Sequence, residues 1–187
     1  MAKVVMDVTA SLDGFITGPN VRDVEPMGDG GERLHEWMGG SDAVDAQVFE
    51  EINAAFGAIV IGRRTFELGL KNWGGTPWPG TPSFVVTHRP EADFVGDNGG
   101  TFSFDSLERA VERAKQAAGA KTVLVMGAEA ARNVRRAGLL DELWIHVAPM
   151  LLGSGTPLFE GEQGDLVPAR KTLSGSVTHL WYSIAKA

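Results

Sequence analysis

The sequence of 187 residues contains no cysteine. That absence excludes disulfides, thiolate nucleophiles and zinc–thiolate sites. Basic charge is in deficit as well. Seventeen lysines and arginines against 24 acidic residues give a net charge of −7, which argues against a general binder of nucleic acid or anionic membrane. No apolar run approaches the length of a membrane span. The N-terminus, "MAKVVMDV", enters a strand pattern at once and lacks the apolar stretch and cleavage site of a signal peptide. The expectation is a soluble, cytoplasmic protein without nucleic-acid or membrane partners. The common nucleotide signatures, G-x-G-x-x-G and the P-loop lysine motif, are missing, and so is a G-x-S-x-G elbow. The four histidines, His35, His88, His146 and His179, lack metal-ligand spacing, so no metal is expected.

What remains is an ordinary globular composition, 43% hydrophobic and 22% charged, of a length that suits one domain. Lys3 to Ser11 alternates like a strand with two different faces, and Gly14 closes the turn after it. Thr17 to Gly31 reads as a long surface loop, functional or mobile. Asp45 to Phe56 reads as a helix closed by Gly57, Ala58 to Ile61 as a buried strand, and Thr65 to Leu70 as a short helix. "SFVVT" is the next strand. "TFSFDSLERAVERAKQAAGA" is the clearest helix, with Asp105 and Glu108 at capping-box spacing and Gly119 at its end. "KTVLVMG" is a strand leading into a helix from Glu129 to Ala137, and "ELWIHVAP" and "THLWYSIA" are later strands. Alternating strands and helices followed by a strand-rich last third predict one α/β domain, parallel at its centre and mixed at its edge.

Three strand ends carry anion-friendly features. "GRRT" (Gly62 to Thr65) places two arginines directly after a core strand, and "VVTHRP" ends a strand in Thr87, His88 and Arg89. In "VMGAEAARN" a strand meets a helix N-terminus, whose free N–H groups and dipole favour an anion. Ligands of open α/β sheets bind at the carboxyl ends of the strands, so these features in one acidic protein point to a phosphorylated ligand.

"GRRTFE", "PWPGTPSFVVTHRP", "VLVMGA" and "GLLDELWIHVAPMLLGSGTPLFEG", with "SLDGFITGPN" near the start, resemble the dihydrofolate reductase superfamily. The resemblance spans nearly the whole chain. It is strongest to the branch containing the reductase domain of the bifunctional riboflavin-biosynthesis deaminase-reductase, the RibD C-terminal-like branch. It implies a single dihydrofolate reductase-like α/β domain with a mostly parallel sheet, helices on both faces and an antiparallel C-terminal part. It also implies NADPH as cofactor. Gly62, Arg63, Arg64 and Thr65 would bind its phosphates, Thr87, His88 and Arg89 the adenosine ribose and 2′-phosphate. Gly127, Ala128, Glu129, Ala130 and Ala131 would cradle the pyrophosphate.

Several departures shape the expectation. The family junction is usually Gly-Gly, and Ala128 replaces the second glycine. That methyl is tolerable at negative φ, while Glu129 must point away from the anion or be offset by Arg63 or Arg64. Folate enzymes carry a carboxylate-binding arginine after the P-G turn, where this chain has Thr81, which cannot form a bidentate pair. They also place a proton-transfer carboxylate in the preceding helix, and counting back from Gly62 lands on Ala46, beside Asp45. Asp45 is either that acid or a helix N-terminal carboxylate. Asp7, mid-strand among valines, is either a pocket acid suited to proton donation or an exposed position shared with Thr9 and Ser11. Asp7 and Asp45 are therefore the catalytic candidates.

Trp37, Trp73 and Trp78 either stack on a planar substrate or pack in the core. Trp144, His146, His179 and Trp181 alternate with aliphatics, an aromatic face that would serve a subunit interface, and the resemblance implies a homodimer. The leading expectation is an NADPH-dependent reductase of a small nitrogen heterocycle, imine or carbonyl, not a true dihydrofolate reductase. The runner-up is the 5-amino-6-(5-phosphoribosylamino)uracil reductase of riboflavin biosynthesis, weakened because no deaminase domain precedes this one. A different class is a non-catalytic nucleotide or drug binder on the same fold.

Overall fold

The computed structural model describes residues 1–76, 78–89 and 91–185. Pro77 and Pro90, parts of the proline-rich connection and of the T-H-R-P turn, lie outside them. The chain opens with β1 (Val4–Ser11), a tight turn at Gly14 and β2 (Phe15–Thr17). The long loop that follows is tied to itself. Gly18 N–H donates to Met27 O at 2.8 Å, Asp29 N–H to Pro19 O at 2.8 Å, and Arg22 pairs with Asp29 at 2.7 Å. At its base a Cβ on Gly18 would overlap the Asp29 carbonyl, and one on Gly155 would overlap that of Thr17. The loop leads into a 3-10 helix at Gly31–Gly39, which buries Gly31, Leu34 and Trp37 along one face.

Helix α1 (Ala43–Ala55) starts two residues before the sequence suggests, because the Asp42 carboxylate accepts the free N–H groups of Val44 and Asp45 at 2.8 and 3.2 Å. Strand β3 (Phe56–Gly62) takes over at Phe56 and includes Gly57, the expected helix stop. A Cβ there would press into Ala118 and Lys121, so Gly57 serves close backbone approach instead. Then come α2 (Arg63–Trp73), β4 (Ser83–Val86), β5 (Phe94–Val95) and β6 (Thr101–Asp105). Helix α3 (Leu107–Ala118) buries Ala110, Val111, Ala114 and Ala118 along one face, while Leu107 at its start is half-buried. The capping box does not form: Ser106 is the N-cap, and Asp105 ends β6 with its carboxylate taken by Arg109 (3.1 Å) and Arg113 (2.5 Å). Two guanidinium donors outcompete backbone N–H groups for that oxygen pair. The chain continues through β7 (Thr122–Met126), α4 (Ala128–Arg136), β8 (Glu142–Ala148), β9 (Thr156–Pro157), β10 (Leu166–Leu173) and β11 (Thr178–Ile184).

These elements gather into two compact units. The first comprises Met1–Met6 and Ala55–Asp141. Its strands run in the order β1-β7-β3-β4-β6, all parallel, with β5 antiparallel at the end. Ile59, Val60, Ile61, Val123, Leu124 and Val125 are all buried, as continuous apolar runs in a parallel sheet demand.

The second unit comprises Asp7–Ala54 and Glu142–Ala187. Here β8, β11 and β10 pair antiparallel, and the remainder of β1 lies beside β8. Large mostly parallel sheet, antiparallel C-terminal strands and intervening helices make the α/β architecture that the sequence implied. Among the described residues no helix is long and apolar enough to cross a membrane.

Candidate active site

In the first unit, β7, β3 and β4 are neighbouring parallel strands, so their carboxyl ends share one rim. Ile61 of β3 stands opposite Met126 of β7, one residue before each strand gives way to its glycine. Gly62 and Gly127 are the N-caps of α2 and α4, and neither helix has a side-chain cap. Two sets of free N–H groups, each at the positive end of a helix dipole, therefore open on the same rim. Gly127 has φ 95° and ψ 134°, and a Cβ there would overlap Thr65 Oγ1. The bare backbone is thus a steric requirement. Ala128, by contrast, is the first helical residue with negative φ, so its methyl is accommodated.

The two arginines after Gly62 differ. Arg63 is half-buried, pairs with Glu67 at 2.7 Å and with Glu91, and lies over the Phe104 ring. Arg64 is exposed and makes no ion pair or hydrogen bond among the described residues. After β4, Thr87 closes a small turn: its hydroxyl accepts from Arg89 N–H at 3.0 Å, while the side chains of His88 and Arg89 are exposed. Glu129 is exposed in the first turn of α4, and Ala130 and Ala131 are buried beneath it.

In the second unit, a line of ionisable side chains crosses three strands into a helix. His146 and His179 are direct cross-strand partners on β8 and β11, and such pairs project from the same face of a sheet. Their Nδ1 atoms are 2.7 Å apart. His146 Nε2 reaches Asp7 Oδ2 on β1 at 3.1 Å, and His179 Nε2 reaches Asp45 Oδ1 in the first turn of α1 at 2.9 Å. Both histidines and Asp45 are completely buried, while the Asp7 side chain is 11% exposed. Trp37 from the 3-10 helix covers both rings, with centroids at 4.7 and 5.1 Å, and its indole N–H is satisfied by Thr9 Oγ1 at 3.0 Å. Burial holds the His179 imidazole below its ordinary range, against the opposing pull of the Asp45 carboxyl hydrogen bonded to it. His35, half-buried on the 3-10 helix, is held down by the same desolvation, against the charge of Asp7.

A model of the RibD C-terminal domain matches residues 2–178. The chain belongs to the RibD C-terminal domain family. A crystal structure from Shewanella sp. PV-4, named for riboflavin biosynthesis, covers 100% of both chains at a TM-score of 0.73 and 23% identity. A pyrimidine reductase-like protein from Corynebacterium diphtheriae gives a TM-score of 0.66 at 16% identity, covering 100% of this chain and 93% of its own. Acinetobacter baumannii RibD gives 0.65 at 16% identity over 99% of this chain and 58% of its own. In sequence, the uncharacterized Bacillus subtilis protein YwjB is 28% identical over 158 residues, 84% of this chain and 82% of that protein. The three solved structures share this chain's fold over nearly its whole length.

Within this RibD C-terminal fold, the Gly62–Thr65 and Gly127–Ala131 segments come together, and Thr87–Arg89 follows the next strand along the rim. The two catalytic candidates are linked through a pair of histidines that sequence reasoning had placed elsewhere. His146, His179 and Trp181 do not form an exposed aromatic face: they are buried inside their own unit, at 0%, 0% and 8% exposure. Asp7 is not an exposed edge residue either: it is half-buried, and Thr9 and Ser11 on the same strand are buried. Asp45 is in the helix's first turn, as the simpler reading held, yet it points inward to an imidazole. A signal for the histidine pair was present: "WIH" and "HLW" are mirror images, and an antiparallel register aligns Trp144 with Trp181 and His146 with His179.

Proposed function

We propose that this protein is an NADPH-dependent reductase of a small nitrogen heterocycle, imine or carbonyl compound. What carries the reading is the pair of uncapped helix N-termini at Gly62 and Gly127, with Gly127 kept bare beside Thr65 and Arg64 left unpaired. That chemistry suits a dinucleotide: free N–H groups for a pyrophosphate, and a free guanidinium for a further phosphate. Gly62, Thr65 and Gly127 to Ala131 would hold the pyrophosphate. Arg64 and Arg89 would meet the 2′-phosphate. The bound cofactor supplies a hydride. The protein's own contribution is to position the substrate and to supply a proton, and Asp7 is the group for that, as the partly exposed end of an otherwise buried carboxylate–imidazole line.

The pyrimidine reductase-like neighbour favours a second, narrower reading, a pyrimidine reductase of riboflavin biosynthesis. Titrating NADPH and NADH by tryptophan fluorescence tests the cofactor, and equal dissociation constants refute it. Nicotinamide absorbance is then followed with pterins, pyrimidines and imines. Turnover of pyrimidines alone selects the narrower reading. Tight NADPH binding without turnover of any compound selects a non-catalytic binder.

A further inference from the structure

We propose that Asp7, His146, His179 and Asp45 form a proton relay in which buried Asp45 stores the proton that Asp7 delivers. The proposal rests on the reductase reading for the use of that proton, and on geometry for its storage.

The proton count follows from the contacts. Two imidazole Nδ1 atoms 2.7 Å apart must share a single proton: with none the lone pairs repel, and with two the N–H groups collide. The same holds for Nε2 against a carboxylate oxygen at 3.1 Å and at 2.9 Å. Two carboxylates and two neutral imidazoles would hold two protons at charge −2. The three contacts need a third proton, so the line carries −1.

Each of these protons can sit on either side of its contact. In one arrangement Asp45 is a neutral acid donating to His179 Nε2, His179 Nδ1 donates to His146 Nδ1, and His146 Nε2 donates to anionic Asp7. Moving every proton one step toward β1 makes Asp7 the neutral acid and Asp45 the anion. Both rings remain neutral and only their tautomers exchange. Hydride addition to a C=N or C=O bond leaves a negative nitrogen or oxygen. The proton of Asp7 neutralises it, leaving the line with two protons and charge −2, and water replaces the lost proton at Asp7.

The ends of the line are unequal in the required sense. Asp7 is the one member with solvent access. Asp45 Oδ2 is buried without a hydrogen-bond partner, which a neutral carboxyl tolerates far better than an anion. Once the proton has left, the dipole of α1 favours the charge at Asp45. Trp37 seals the rings without competing for their nitrogens, because its own N–H is committed to Thr9. The other ionisable groups facing the line are His35, whose burial favours the neutral form, and Asp42 at the α1 cap, whose carboxylate is kept ionised by the backbone N–H groups of Gly175, Asp45 and Val44. The four side chains run as a line rather than converging on a point, and among the described residues no three His, Asp or Glu are placed to hold a metal ion.

Nitrogen-15 histidine spectra of the full chain test the relay without substrate or cofactor. The expected result is one strongly deshielded proton coupled to both Nδ1 atoms. In Asp7→Asn the His179 tautomer should also change, although Asp7 does not touch that ring. In a merely structural network Asp7→Asn alters His146 alone. Absence of the shared proton, or an unchanged His179, overturns the proposal. Asp45→Asn is the reciprocal variant and should change the His146 tautomer; if it does not fold, Asp7→Asn decides, being at the exposed end. NADPH titration of the same samples keeps the two ideas apart. Loss of NADPH binding in the native protein sinks the reductase reading and leaves the proton line to the spectra.

Discussion

Replacing Gly127 with alanine puts the proposed cofactor cradle under a direct test. The backbone there, φ 95° and ψ 134°, is a conformation that L residues avoid, and enforcing it costs about 1–3 kcal/mol. The new methyl would also overlap Thr65 Oγ1 and lie 3.3 Å from Thr65 Cβ. Forcing an extra methyl into packed surroundings adds roughly 1–3 kcal/mol. Gly127→Ala should therefore lose about 2–6 kcal/mol, a large share of the ~5–15 kcal/mol by which a domain is stable. The two contributions are separable. Thr65→Ala removes the overlapping hydroxyl but leaves the backbone strain, so the double variant should recover only the packing share. Urea denaturation of the four proteins measures both, and NADPH titration of the folded variants should show weakened binding. A loss below about 1 kcal/mol in Gly127→Ala would mean that the strand–helix junction relaxes freely, and the reasoning fails.

Arg64→Ala should weaken NADPH by roughly 10- to 150-fold while barely affecting NADH, the loss of one charge-assisted bond of about 1.5–3 kcal/mol. Arg63→Ala should do less, because Glu67 and Glu91 already occupy its guanidinium; equal effects on both cofactors refute the 2′-phosphate assignment. His35 and His179 are both held below the ordinary imidazole value of 6.5 by burial, so the unfolded chain binds more protons. Their contribution to stability is complete above pH 6.5 and is lost as pH falls through the lower folded values, which a falling melting temperature would report and a flat one would contradict. Asp7→Asn should lower kcat by about 10²- to 10⁴-fold with NADPH affinity unchanged, and an unaltered rate would assign the proton to another donor. Dihydrofolate should not be turned over with ordinary efficiency, since Thr81 replaces the carboxylate-binding arginine; rescue of a reductase-deficient strain would show otherwise.

How much could be read from the chain depended on distance along it. Ala58–Ile61 and Thr122–Met126 were legible because strands covered on both faces are continuously apolar. Strand β10, "LVPARKTL", escaped because it is exposed over most of its length and contains Pro168, so neither alternation nor an apolar run marks it. Strand β6 was absorbed into the helix that follows, since "FSFD" offers an apolar spacing that either structure can use. The strand–glycine–helix junctions at Gly62 and Gly127, proposed to hold a phosphate, could be read for the same local reason as the core: a strand end, a glycine and a helix start are consecutive residues. The proton line joins Asp7 to His146 across 139 positions and His179 to Asp45 across 134, so only the folded arrangement of β1, β8, β11 and α1 brings its members into reach. Its burial was equally hidden, because a histidine in a strand reads as polar until the covering tryptophan is known.

The tied loop after β2 has a consequence for how such a protein can diverge. Carbonyl oxygens of Asp29 and Thr17 occupy the space a side chain would need at Gly18 and Gly155, so the loop's base tolerates no enlargement. Between Asn20 and Glu25 the chain is largely exposed, held by polar contacts that many residue types can supply or forgo. Mutational drift, and any adaptation of this segment to a new ligand, is thereby channelled into the tip. The base stays fixed as a hinge-less frame on which successive tips can be tried without refolding what supports them.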